Sequence, residues 1–230
     1  MSLKIKHLEK TSLVDYPGKV SCVLFLGGCN FRCGYCHNRQ LIIDCELKNI
    51  NEDEILSYLE SRKKWIDGVV FTGGEPLLYN LKDFIVKIKN LGFLIKLDTN
   101  GFNPDALKEL IDNNLLDYIA MDIKNSLEKY EDTVRIKVDL NKIKESIDLI
   151  KKFKDYEFRM TVLPLLHNKE DFEKIGKLLK NCKLFCIQQF RPVNCLDKSF
   201  ENEKQFSLKE LESFKRILEK YVKKVEMKNL

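Results

Sequence analysis

Three thiols, Cys29, Cys33 and Cys36, stand four and three residues apart in the stretch Cys29-Asn30-Phe31-Arg32-Cys33-Gly34-Tyr35-Cys36. Thiolates are soft ligands, and iron–sulfur clusters are held by cysteine sulfur. A four-iron cubane held by three cysteines keeps one iron open, which points to chemistry at the cluster rather than simple electron storage. The first gap and nearby fourth cysteine of a ferredoxin run are both missing. The thiols follow an apolar run, Cys22-Val23-Leu24-Phe25-Leu26-Gly27-Gly28, which reads as a buried strand whose glycines let the backbone leave sharply. The cysteines therefore sit on a loop at a strand end. A structural zinc site with His37 as fourth ligand is the plainer alternative. Adjacent Cys36 and His37 would struggle to reach one tetrahedral ion, and zinc fingers bring their ligands as two separated pairs.

The spacing, with aromatic Tyr35 just before the third cysteine, resembles the signature of the radical S-adenosylmethionine (SAM) superfamily. Val69-Val70-Phe71-Thr72-Gly73-Gly74-Glu75-Pro76 is similar to that family's strand-plus-GGEP segment. Leu97-Asp98-Thr99-Asn100-Gly101-Phe102 and Met121-Asp122-Ile123-Lys124 resemble segments of its glycyl-radical-enzyme activases. The opening Thr11-Ser12-Leu13-Val14-Asp15-Tyr16-Pro17-Gly18-Lys19 resembles a narrower group, the anaerobic ribonucleoside-triphosphate reductase activating proteins. The matches keep their order from about residue 10 to 200, which makes them more specific than any single motif.

The elements that must position these residues follow from pattern. Strands are expected at 19–26, 69–72, 93–98, 117–122, 157–163 and 184–190. Asn51 reads as the cap of a helix running through Trp65, Asn80 as the cap of one ending at Gly92, and Asn103-Pro104 as a helix start. Ile143, Ile147, Ile150 and Phe153 form a helical stripe, and a further helix covers 168–180. Ser207 to Glu210 is a capping box opening an amphipathic helix over 207–223. Alternation of this kind argues an α/β fold with a parallel sheet and right-handed crossovers. Periodicity does not separate a flat sheet from a barrel; the resemblance implies an incomplete, TIM-like (β/α)6 partial barrel. The expected organisation is one domain over 1–230, with an edge or lid at 1–18, the barrel core at 19–200 and the last helix behind it. Each motif falls at the C-terminal end of a strand, where such folds place their chemistry.

The bulk numbers exclude other classes. The chain has 230 residues, 44% hydrophobic and 33% charged, as in an ordinary soluble globule. A net charge of +5 without a basic run interleaved with aromatics does not predict nucleic acid. No apolar stretch approaches the roughly 20 residues that span a membrane, and the start of the chain lacks a signal-peptide core. A reducing cytoplasm is expected. Eight cysteines in a chain of this length favour metal over disulfides.

By the resemblance, Cys29, Cys33 and Cys36 hold a [4Fe-4S] cluster. Gly73, Gly74, Glu75 and Pro76 meet the SAM amino group; Asp98, Thr99 and Asn100 lie beside its ribose and carboxylate. Lys124 meets the carboxylate, Arg159 points toward the cofactor, His167 is a candidate adenosine contact, Tyr35 belongs to the cofactor pocket, and 188–192 close over the adenine. A monovalent cation is implied near Asp98, Thr99 and Asp122. The implied reaction is reductive cleavage of SAM to a 5′-deoxyadenosyl radical that takes a hydrogen from a partner's glycine. The expected partner is an anaerobic ribonucleotide reductase, and the reductant is of flavodoxin or ferredoxin type. Plainer readings stand beside these: a strand-to-helix turn for GGEP, an Asx turn for Asp98–Asn100, a surface lysine for Lys124 and a helix cap for His167. Cys182, Cys186 and Cys195, with Cys45, raise the question of a second cluster, although buried structural thiols are the simpler account. Cys22 belongs to the core. The rival functions are a radical SAM enzyme acting on a small molecule, such as a deazaguanine-pathway synthase, and a non-catalytic iron–sulfur or zinc protein.

Overall fold

The computed structural model describes residues 3–43 and 47–230. Cys45 lies outside them. In chain order the elements are β1 (Ile5–Ser12), β2 (Ser21–Leu26), α1 (Arg39–Ile43), α2 (Glu52–Arg62), β3 (Gly68–Gly73), α3 (Lys82–Asn90), β4 (Leu94–Thr99), α4 (Pro104–Asp112), β5 (Tyr118–Asp122), α5 (Tyr130–Val134), α6 (Leu140–Lys152), β6 (Tyr156–Val162), α7 (Lys169–Leu178), β7 (Phe185–Gln189), α8 (Leu208–Leu218) and β8 (Val225–Lys228). Strand order follows chain order from β1 to β8. β1 runs antiparallel to β2, whereas β2–β3–β4 and β6–β7–β8 are parallel ladders. Strands β2 to β7 are the six expected from the apolar runs. They are buried on both faces because helices must cover a parallel sheet.

Two compact units divide the chain. One holds the residues up to Asn30 with Gln40–Ala120; the other holds Phe31–Arg39 with Met121–Leu230. In the first, Tyr16 packs on Val23 and Val70, with Phe25, Leu94 and Tyr118 beside them. In the second, Phe172 stacks on Phe214 at 4.1 Å, joining α7 to α8.

The helix starts follow their predicted caps. Asn51 accepts from Asp53 N, Asn103 from Ala106 N, and Ser207 with Glu210 makes a reciprocal capping box. Three expectations shift. The helix after Asn51 ends at Arg62, leaving Trp65 exposed. Asn80 accepts from Lys82 N although the helix cap itself is Leu81. The last helix stops at Leu218 rather than near 223. After it comes β8, which the sequence pattern did not announce: it has four residues and only Val225 is buried.

Candidate functional site

The first cluster of predicted residues lies where β3 and β4 end. Gly73 has a φ of +109°, and a Cβ on Gly74 would stand 1.7 Å from Gly28 O. Gly74 N donates to Leu26 O at 2.8 Å, and Glu75 N to Gly28 O at 2.9 Å. The glycine pair thus serves close backbone packing of β3 against the exit of β2, more than exposure of backbone to a ligand. Pro76 opens a short 3-10 turn to Leu78. Glu75, 1% exposed, turns its carboxylate inward: Oε1 accepts from Leu77 N (3.0 Å) and Thr99 Oγ1 (2.7 Å), and Oε2 accepts from Asn100 N (2.7 Å). The carboxylate assigned to a ligand's amino group clamps the end of β3 to the end of β4. Asn100 then reaches the thiol loop, with Nδ2 donating to Asn30 Oδ1 at 2.9 Å and lying 3.9 Å from Cys29 Sγ. Its Oδ1 accepts from Phe102 N, so the Asx turn and the bridge to the first cysteine coexist. Asp98 is paired by the buried Lys96 ammonium.

The second cluster belongs to the other unit and is built on charge. Asp122, at the end of β5, receives Arg159 Nε at 2.7 Å on one oxygen and Lys124 Nζ at 3.2 Å on the other. Burial opposes its ionisation, yet the guanidinium and ammonium outweigh that and hold the carboxyl well below its ordinary range. Burial likewise opposes charge on Lys124, but Asp122 beside it carries the ammonium well above its ordinary value. Arg159 Nη1 is also 4.0 Å from Glu157, a buried carboxylate bonded to Lys228 Nζ at 3.1 Å and to Cys186 Sγ at 3.2 Å. Sequence reading passed over Glu157; its only signal was a carboxylate inside a buried strand two residues from Arg159.

His167, 2% exposed, is fully engaged. Nδ1 accepts from Leu163 N at 3.3 Å, so Nε2 carries the proton and donates to Lys124 O at 3.0 Å. Both ring nitrogens are taken by backbone, so neither is left to hydrogen-bond an adenosine. Asn168, not His167, caps α7. His167 instead braces the segment that carries Lys124.

The thiol loop of this unit is tied from several directions. Arg32 N donates to Val134 O, Cys36 N to Cys33 O, Leu196 N to Cys36 O and Asp197 N to Gly34 O. Burial raises the Cys33 and Cys36 thiols, and the Lys124 charge pulls both back down. Tyr35 is buried with its ring 6.4 Å from Phe200. His37 bonds Arg191 O at 2.7 Å and stacks on Phe190, so the segment expected over the adenine is held by the loop. Among the described residues no three His, Cys, Asp or Glu side chains gather closely enough for a single metal ion. The donor set suits a cubane better than one zinc, since a cubane takes its thiolates on separate irons. Cys182, Cys186 and Cys195 are fully buried, and burial pushes the first two up to about 12. Those two stay structural. Cys195 precedes the residues that bond Gly34 and Cys36.

Comparison with known proteins fits this arrangement. The model of the Radical SAM superfamily matches residues 23–182. A Methanocaldococcus jannaschii protein named for glycyl-radical enzyme activation is 36% identical over 100% of this chain and 98% of its own. The pyruvate formate-lyase-activating enzyme of Clostridium pasteurianum is 28% identical over 96% of this chain and 98% of its own. Among solved structures, Streptococcus suis SuiB bound to S-adenosylmethionine superposes with a TM-score of 0.69 at 12% identity, over 87% of this chain and 48% of that one. That likeness shows the fold: α/β with a mostly parallel sheet, matching a partial TIM barrel. No described helix is long and apolar enough to cross a membrane.

Proposed function

Because the chain belongs to the radical SAM superfamily, an enzyme family that uses a [4Fe-4S] cluster and SAM, we propose that it generates a glycyl radical on a partner enzyme. When bound, cluster and SAM supply a 5′-deoxyadenosyl radical able to take a hydrogen atom from a glycine Cα. The chain's own residues do the positioning. Cys29, Cys33 and Cys36 are the cluster ligands in this reading. The Gly73–Pro76 turn and the Asp98–Asn100 turn, locked together by Glu75, fix the backbone beside the amino group and ribose. Lys124 and Arg159 offer cationic donors to the SAM carboxylate, with Asp122 holding both in place and His167 bracing the Lys124 backbone. Tyr35, buried inside the loop, excludes water from the thiols.

The observation that carries the activase reading is the likeness to a protein named for glycyl-radical enzyme activation over 100% of this chain and 98% of that one. An anaerobic ribonucleotide reductase is the partner we favour, from the Thr11–Lys19 segment. A flavodoxin- or ferredoxin-type protein is the electron donor, in an oxygen-poor cytoplasm. Anaerobic reconstitution with iron and sulfide, then dithionite and SAM, will give 5′-deoxyadenosine, and Cys33→Ala will abolish it. Adding the reductase will raise the yield and leave a glycyl radical visible by electron paramagnetic resonance. Stimulation by a small metabolite instead would overturn the activase reading, and protein that binds no SAM would overturn the enzyme reading altogether.

A further inference from the structure

Lys96 sits where a charge is costly. On β4 the side chains alternate, so Lys96 and Asp98 share one face while Ile95, Leu97 and Thr99 share the other. The ladder partner of Lys96 is Val70, itself paired with Val23, and both valines pack on Tyr16 with Tyr118 alongside. The lysine stem rises through this apolar layer and the residue is 1% exposed. Its Nζ meets Asp98 Oδ1, with the Tyr118 ring centroid 5.9 Å away. A buried ammonium is tolerated only when it is paired, and removing either partner leaves an uncompensated charge.

The resemblance implies a monovalent cation beside Asp98, Thr99 and Asp122. The donor set of this chain does not fit one. Asp98 already faces the Lys96 ammonium, and Asp122, in the other unit, already faces Arg159 and Lys124. A potassium ion and an ammonium group carry the same charge, have similar size and are satisfied by the same partners, carboxylate oxygen and aromatic face. We propose that Lys96 stands in for that ion: its ammonium supplies at Asp98 the positive charge that a bound cation would bring, making this protein indifferent to potassium and sodium. Only the SAM arm of the test below rests on reading Asp98–Asn100 as part of the SAM site.

The test melts the full chain, reconstituted anaerobically, in potassium chloride and in choline chloride of equal ionic strength, with and without SAM. Wild type will melt at the same temperature in both salts and gain the same increment from SAM. Lys96→Met keeps the stem and removes the ammonium. It will melt lower in choline, and potassium will restore it saturably, by roughly 3–6 °C at tenfold excess over the dissociation constant. Lys96→Arg keeps a cation and will stay indifferent. A saturable potassium gain in wild type overturns the proposal, and so does Lys96→Met melting alike in both salts. The wild-type arm stands even if Lys96→Met does not fold in either salt. Absence of a SAM increment in every protein would fault the cofactor reading and leave the ion comparison intact.

Discussion

Glu75 and Asp122 are both carboxylates at strand ends, and they are held in opposite ways. Glu75 accepts from two backbone N–H groups and a hydroxyl, all neutral donors. Asp122 accepts from a guanidinium and an ammonium. Neutral donors give position, and a hydrogen bond from a neutral donor responds to salt less than a pair of charges does. Paired charges give a local potential that an anionic ligand can share, and that potential responds to ionic strength and to ligand. One region is held by position, the other by paired charge.

The largest expected effect lies in the first region. Glu75→Ala leaves the Leu77 and Asn100 amides and the Thr99 hydroxyl without their acceptor, costing about 3–9 kcal/mol at roughly 1–3 kcal/mol for each orphaned group. Urea unfolding at low and high salt will give the same loss, and a loss that shrinks with salt would erase the contrast. Asp122→Asn will cost less, about 1–2 kcal/mol, because its side chain is 30% exposed and the pairing is partly screened. Here salt will shrink the difference from wild type. The smallest effect tests a neutral brace inside the charged region. Burial lowers the His167 pKa below its ordinary 6.5. The unfolded chain therefore takes up this proton first as pH falls, so the His167 contribution is full above about 6.5 and declines below it. The Asp122 and Asp171 carboxyls, lowered from 3.8, lose their contributions only at more acid pH. Melting between pH 7.5 and 5 will fall in wild type and flatten in His167→Gln; equal slopes would place the titration elsewhere.

Much of this was legible before any coordinates. Strands β2, β3 and β5 are nearly continuous apolar runs followed by glycine or polar residues, the pattern of a parallel strand buried on both faces, whereas β4, β6 and β7 carry Lys96, Glu157, Arg159 and Gln188 within them. The capping residues were readable because their chemistry is local. Residues 1–18 were read only as an edge or lid, so neither β1 nor its antiparallel pairing with β2 was foreseen. β8 has too few residues to show any period. Asp122 and Lys124 were singled out at the end of one strand, but as contacts of a cation and of a carboxylate, and not as partners of each other. Glu75 could not: its inward turn depends on the amides of Leu77 and Asn100, and the latter is 25 residues away. Lys96 was hidden by company, one lysine among many, and only the tertiary layer around it shows that it is buried.

The hydrogen bonds of the thiol loop set a timetable for biosynthesis. Gly34 and Cys36 leave the ribosome early, yet the amides that bond their carbonyls belong to Asp197 and Leu196. At about 5–20 residues per second those partners arrive on the order of 10–30 s later. Until then Cys33 and Cys36 have no native enclosure and their thiols face the cell. Those two bonds close only once the second half of the chain has folded, so the thiol loop is completed late.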